Sequence, residues 1–538
     1  MKEKNKKNKN GSQALFKTLQ DSGIDVCFAN PGTSEMQLVY EMGSTDGFRP
    51  VLCLQENVVT GAADGYYRIA GKPAFAMLHL GVGVANGLCS MHNARKAGSG
   101  MVTLCGAGAD YHHHDVEITF LRPIADLATP VADWVRTSKS ADDLAVAGSE
   151  AVQVARTGKV ATLITPANHH WELTPIEVKA QEPTSPPAVS DETIDKAVEL
   201  LKNGKSTAVM LGGLAVAEGQ EVAGKIAVAS GAKLLCETMC AKLPRGAGSV
   251  VVTQIPYIPE MARTVLAEFE QVIMVGGRRP MASLAYEGAS LSKVPESCEM
   301  HYLVTDELDV LGALDSLCAK LGAGDITDVE RYEPAADTAA PTGELSPEAV
   351  AQCLTMLIPE NAIVSDESAT MGMQMFSMTQ NAKPHDWLMS PNGGGIGHGL
   401  PVALGAAVAG NGRKVLALQA DGCAMYTPQA LWSIARENLD VTIVILKNDR
   451  YGILEVELAR VRESAANDKM MSMLEIDKPS IDWVQIAGGM GIPATSATTA
   501  EEFYQQLSEA MAHKGPRLVE AVVAQDLSPM VEMVARVK

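Results

Sequence analysis

Aromatic residues make up only 4% of this 538-residue chain, and positive charge is scarce: 44 Lys and Arg stand against 64 Asp and Glu, a net charge of −20. That balance opposes a phosphate backbone and argues against a nucleic-acid binder, unless one basic face hides in the total. No window approaches the apolar length needed to cross a bilayer, so no membrane partner is expected. The opening MKEKNKKNKN is polar and basic with no apolar stretch behind it; it reads as a frayed tail, neither signal peptide nor anchor. The ten cysteines are scattered from Cys27 to Cys423, mostly inside apolar runs, as in reduced cytoplasmic proteins rather than disulfide frameworks. Cys236 and Cys240 have helical spacing, but no second Cys or His pair accompanies them, which argues against zinc. No short tandem repeat is present.

What is plentiful is small and apolar. Hydrophobic residues are 46%, charged residues 20%, and glycine reaches 47, which suits a globular chain of parallel strands joined to helices by tight turns. Three α/β blocks in a row are expected, with parallel sheets flanked by helices: residues 12–175, 190–330 and 346–538. The first carries strand-like runs at Ile24–Phe28, Pro50–Leu54, Ala74–His79 and Met101–Cys105. The second carries them at Thr207–Leu211, Lys233–Cys236, Gln271–Val275 and His301–Val304. In the third they are Ala362–Ser365, Lys414–Leu418, Val441–Leu446 and Arg517–Val523. Pro-rich stretches at 182–187 and 333–345 read as linkers.

The segment 414–452 is the most informative. A strand ends at Ala420-Asp421-Gly422, Thr427-Pro428 looks like a helix cap with proline at the first helical position, and a second strand ends at Lys447-Asn448-Asp449. If those strands are neighbours, about 4.8 Å apart, Asp421 and Asn448 converge outside the sheet. A carboxylate, an amide oxygen and a nearby carbonyl form a hard-cation site suited to magnesium, which keeps positions for water and phosphate oxygens. Gly422 lets a diphosphate approach the backbone near a helix N-terminus. Taken singly, each dipeptide is an ordinary turn.

Asp-Gly, twenty-five residues, then Asn across strand–helix–strand resembles the magnesium-diphosphate motif of thiamine diphosphate-dependent enzymes, with Ala420 in place of their usual first glycine. The run Ser390-Pro391-Asn392-Gly393-Gly394-Gly395-Ile396-Gly397-His398-Gly399-Leu400-Pro401 resembles the glycine-rich segment of acetolactate synthase and benzoylformate decarboxylase. The resemblance implies that Ile396 bends the cofactor from beneath and that Gly394 offers its carbonyl to the aminopyrimidine. It further implies roles for Thr370, Gly422 and Cys423 at the cofactor, and for Asp421, Asn448 and the Arg450 backbone carbonyl on the metal.

In the first block, Leu52-Cys53-Leu54-Gln55-Glu56 is a strand ending in an acid, with a helix to Ala70 and a stop at Gly71. Alone, Glu56 is a first-turn glutamate favoured by the helix dipole. The resemblance makes it the acid that hydrogen-bonds the aminopyrimidine nitrogen and promotes proton removal from the thiazolium carbon. Asn86 and Gly65-Tyr66-Tyr67-Arg68 match as well; many relatives carry His where this chain has Gln55. Spanning about 14–520, the resemblance implies active sites between subunits of a homodimer or homotetramer, Glu56 from one copy and magnesium-diphosphate from the other.

Substrate-side residues are fewer. Asn30-Pro31-Gly32-Thr33 looks like the Asn-Pro-Gly-Ser loop of benzoylformate decarboxylase, placing Thr33 at the substrate, and His79 matches that enzyme's catalytic histidine; a plain strand-end histidine bonded to a backbone carbonyl is its alternative. The run His112-His113-His114-Asp115 reads as a loop over the cleft, with proton transfer by His113 or His114, since consecutive residues point apart and rarely chelate one ion. Benzoylformate decarboxylase has a second histidine in its central domain, but no histidine lies here between His170 and His301; the segment nearest that place is Lys242-Leu243-Pro244-Arg245-Gly246. The expected function is therefore decarboxylation of a small 2-oxo acid with carboligation to a second carbonyl, as in acetolactate synthase. A non-ligating decarboxylase and an idle cofactor-binding relative are the alternatives. Some relatives bind FAD in the central domain; Gly276-Gly277-Arg278-Arg279 is too short a signal to assign one. A nicotinamide enzyme lacks its G-x-G-x-x-G here.

Overall fold

The computed structural model describes residues 9–111, 123–285, 290–373, 375–391, 393–461 and 465–535. The first strands are β1 (Lys9–Asn10), β2 (Val26–Asn30), β3 (Arg49–Leu52), β4 (Ala74–Leu78), β5 (Met101–Ala107), β6 (Trp134–Thr137), β7 (Val160–Pro166) and β8 (Leu173–Thr174). The middle of the chain gives β9 (Thr207–Leu211), β10 (Lys233–Cys236), β11 (Leu243–Arg245), β12 (Thr253–Gln254), β13 (Gln271–Val275) and β14 (Glu299–Val304). The last part gives β15 (Ile363–Glu367), β16 (His385–Met389), β17 (Val415–Ala420), β18 (Val441–Lys447), β19 (Ala494–Ala497) and β20 (Arg517–Val522).

These strands form an α/β architecture. The first sheet has the order β3-β2-β4-β5-β7-β6, the middle one β12-β10-β9-β13-β14, and the last β11-β16-β15-β17-β18-β20-β19. Within these three sheets all neighbours run parallel except β11, which leaves the middle of the chain to pair antiparallel with β16, while β1 and β8 form a separate antiparallel pair. Every residue of β4, β7, β9, β13 and β18 is buried, as expected for parallel strands covered by helices on both faces.

Two hydrophobic cores cross between blocks. One joins Leu211 and Val275 to Val364 and Leu418; the other joins Val58 and Ala62 to Val402 and Ile443. Small residues make the second possible. The helix Glu56–Ala70 packs on the helix Gly399–Ala409 so closely that a Cβ on Gly405 would stand 1.8 Å from the Ala62 carbonyl oxygen. Any side chain there forces the helices apart. At one end of this contact, Arg68 forms a buried fork to Asp64 (2.7 and 2.8 Å) and donates to the carbonyls of Met389 and Ala241. His398 lies 3.2 Å from Asp64. Burial would raise the Asp64 carboxyl, but Arg68 and His398 more than reverse it and hold it well below the usual range. Among the described residues no helix is long and apolar enough to cross a membrane.

Candidate functional site

In the last sheet the strand order reverses between β15 and β17, and open α/β sheets bind ligands beyond the carboxyl ends of strands at such a reversal. Asp421 follows β17 directly, and Asn448 follows the adjacent parallel strand β18, with Ala420 opposite Leu446. The two residues adjoin at the strand ends, and the bond between them comes from the Asn448 backbone amide. Asp421 Oδ1 accepts the Gly422 amide (2.8 Å), and Oδ2 accepts those of Asn448 (3.2 Å) and Asp449 (2.8 Å). Burial raises the Asp421 carboxyl, against the pull of those amides. Among the described residues no Lys, Arg or His forms an ion pair with it. A buried carboxylate facing only amides, beside the Asn448 side chain and the Arg450 backbone, is a donor set of hard oxygens that fits magnesium. Asn448 is oriented by donating to Gln525 Oε1 (2.9 Å) and accepting weakly from the Arg450 amide (3.3 Å). Gly422 lies under the Tyr451 ring, and Cys423 is buried beside it. Thr370 is buried just past β15, against Gly452.

The glycine-rich segment lies alongside. Asn93, on the helix Leu80–Ala97, both donates to the Gly395 carbonyl and accepts from the Gly395 amide, each at 2.8 Å. Gly394 sits against the same Asn93 side chain. Ile396 is 43% exposed, an open apolar side chain among pinned neighbours. Thr427 does not cap the following helix. Its Oγ1 donates to the Gly397 carbonyl (2.7 Å), and Pro428 takes the cap position of the helix, which begins at Gln429.

On the first sheet, Glu56 opens its helix and is buried. Gln55, where relatives carry His, caps that helix by accepting from the amides of Asn57 and Val58. Asn86 donates to Glu56 Oε2 (3.0 Å), and Gly83 lies 3.1 Å from Oε1 at its would-be Cβ, leaving that oxygen room for a ligand. His79 follows β4, and its Nδ1 lies 2.8 Å from Glu35 Oε2, a carboxylate rather than a backbone carbonyl. Glu35 is fully buried and also takes the Gly32 amide, and among the described residues its Oε1 has no hydrogen-bond partner. Thr33, which opens the 3₁₀ turn that Glu35 closes, is exposed.

Two clusters thus form, Glu56–Asn86 with Glu35–His79 and Asp421–Asn448 with the glycine-rich segment. Among the described residues no hydrogen bond joins Glu56, Asn86 or His79 to Asp421 or Asn448. His113 and His114 lie outside the described residues. Sequence reasoning missed Glu35, Asn93 and Glu367. The last accepts the amides of Gly397, His398 and Gly399, and burial, outweighing these bonds, pushes its carboxyl up to about 7. It also gave Arg245 no contacts; that residue is buried on β11, its guanidinium 3.8 Å from the Phe376 ring centroid. Three non-glycine residues with left-handed backbone, Leu80, Ala369 and Asp449, adjoin His79, Thr370 and Asn448. Such strain clusters where function over-determines the chain.

The profile of the thiamine pyrophosphate enzyme N-terminal TPP binding domain matches residues 9–122, and that of the C-terminal TPP binding domain matches 367–521. The chain belongs to this family and is a thiamine diphosphate-dependent enzyme. Within it, the chain is 42% identical to a Mycobacterium tuberculosis (H37Rv) protein provisionally named acetolactate synthase large subunit IlvX, over 96% of this chain and 99% of that one. Identity to benzoylformate decarboxylase of Pseudomonas aeruginosa is 26% over 96% and 99%. The thiamine diphosphate-dependent 4-hydroxybenzoylformate decarboxylase of Rhodococcus jostii RHA1 shares the fold, with TM-score 0.82 and 23% identity over 96% of this chain and all of that one.

Proposed function

We propose that this enzyme decarboxylates a small 2-oxo acid with thiamine diphosphate and magnesium, then joins the product to a second carbonyl. The observation that carries the reading is the pair of buried carboxylates, Glu56 and Asp421, that pair with no cationic side chain among the described residues. Asp421 directly follows β17, and Glu56 opens its helix four residues past the end of β3, not at the strand end expected from sequence. Asp421, Asn448 and the Arg450 carbonyl would hold magnesium; Gly422, Cys423 and Thr370 would border the diphosphate; Ile396 and Gly394 would support the rings. When bound, thiamine diphosphate supplies a nucleophilic carbon and an electron sink. Glu56, fixed at Oε2 by Asn86, holds or moves a proton at its free Oε1. As the family resemblance implies, Glu56 would serve the Asp421 side of a second copy, in a homodimer or homotetramer. The ten free cysteines suit a reducing cytoplasm.

Transfer to a second carbonyl is supported by the acetolactate synthase name of the 42%-identical relative and by the lack of a second histidine between His170 and His301. One observation favours a second reading, release by protonation: His79 is held at Nδ1 by buried Glu35, and among the described residues no hydrogen bond takes its Nε2, which would deliver the proton. Incubation with a panel of 2-oxo acids, pyruvate and benzoylformate included, separates the two. Condensed hydroxyketones support transfer, free aldehyde alone supports protonation, and no carbon dioxide from any panel member by cofactor-loaded enzyme refutes both.

A further inference from the structure

Glu367 ends β15, opposite Gln419 on β17, at the reversal point of the last sheet. Its Oε1 accepts the amides of Gly397 (2.9 Å) and His398 (3.1 Å), and its Oε2 accepts that of Gly399 (2.9 Å). Among the described residues no cationic side chain pairs with it, and three backbone amides are its hydrogen-bond partners. A buried acid in that position costs stability unless the turn it holds is needed. The turn cannot be rebuilt easily: Gly397 has φ +87°, and a Cβ there would lie 2.3 Å from that of Tyr426. Thr427 pins the Gly397 carbonyl and Asn93 pins Gly395 on the other side. Between these fixed points only Ile396 projects, and Glu367 bonds none of the amides around Asp421 and Asn448.

We propose that Glu367 is the positioning residue of the glycine-rich segment, holding Ile396 and Gly394 where the reacting end of the bound cofactor needs them and so setting turnover rather than cofactor affinity. The inference rests on the thiamine diphosphate reading above. A misplacement on the order of 1 Å at a reacting centre costs roughly a hundredfold in rate. Glu367→Ala should lower kcat by about that factor, while the thiamine diphosphate Kd and the 2-oxo acid KM stay within about threefold. In Glu367→Gln, one oxygen still faces two of the amides and the new NH2 opposes the third, so kcat should fall by roughly tenfold, a partial rescue. Hydrogen exchange at the amides of 397–399 should speed up in the same order. A kcat per loaded site that does not change, a loss explained wholly by missing cofactor, or amides that stay protected would each overturn the proposal. If Glu367→Ala does not fold, the isosteric glutamine variant decides alone. If wild-type enzyme turns over no 2-oxo acid, the functional reading falls, while the exchange rates still report whether Glu367 holds the segment.

Discussion

Replacing Asp421 with alanine separates two tasks of one carboxylate. Without cofactor it satisfies three amides, of Gly422, Asn448 and Asp449, at 2.8–3.2 Å. A hydrogen bond to a charged group contributes about 1.5–3 kcal/mol. Asn448 and Asp449 are only half-buried, so water recovers part of that loss, and removing a carboxyl that burial disfavours recovers more. The apo protein should lose about 2 kcal/mol, read from urea midpoints. Cofactor binding should suffer far more. Even one charge-assisted contact of about 1.5–3 kcal/mol is worth roughly tenfold to 150-fold in affinity, and a direct bond to a divalent ion adds to it. Titration calorimetry with magnesium and thiamine diphosphate should therefore show at least a hundredfold weakening. Asp421→Asn, which keeps one oxygen for the amides, should regain most of the stability and little of the affinity. Calorimetry showing Asp421→Ala within threefold of wild type would reduce Asp421 to a loop-holder and sink the metal assignment.

Glu56→Gln should still bind cofactor and magnesium while turnover falls about a hundredfold to ten-thousandfold, roughly 3–5 kcal/mol of barrier; thiazolium proton exchange in deuterated water as fast as wild type would make Glu56 a helix-start glutamate and nothing more. Verified heterodimers of Glu56→Gln with Asp421→Ala subunits should recover part of the activity that neither variant has alone, and no recovery would count against a shared site. Glu367 gives a pH signature: its ordinary value is 4.5 and burial raises the folded one to about 7, so the folded state binds more protons between them and loses stability as pH rises through that window. The full shift amounts to about 3 kcal/mol; wild type should lose ground to Glu367→Gln from pH 4.5 to 7 and stay level above it, and a difference that ignores pH would refute this.

Much of the fold was legible because parallel strands are written as unbroken apolar runs. Thr207–Leu211, Lys233–Cys236 and Gln271–Val275 have the bounds expected from sequence. The strand β7 carries the same signal in Val160-Ala161-Thr162-Leu163-Ile164 and could have been found. By contrast β16, His385-Asp386-Trp387-Leu388-Met389, is half polar, and its burial comes from partners far away, with Trp387 donating to Asp366 and lying beneath Arg245. Thr427 shows the same limit at one residue. Local rules make it a cap, but a carbonyl thirty residues upstream competes better for a buried hydroxyl.

The site divides in the same way. Asp421 and Asn448 were legible because one strand–helix–strand unit holds both, so their meeting follows from local spacing. Glu35 and Glu367 act on groups 44 and 30 residues away, and the hydrogen bonds that define their roles exist only after the sheets assemble. A signal was nevertheless available for one of them. Asp421 was singled out as an acid at the end of an apolar strand, and Glu367 closes Ile363-Val364-Ser365-Asp366 in the same manner. In a parallel sheet such an acid stands at the edge where ligands bind, and even when buried it can take amide donors from the turn that follows. Applied evenly, that rule places Glu367 on the same sheet edge as Asp421 from sequence alone. Glu35 follows a loop and a short 3₁₀ turn rather than a strand, and nothing local marks it.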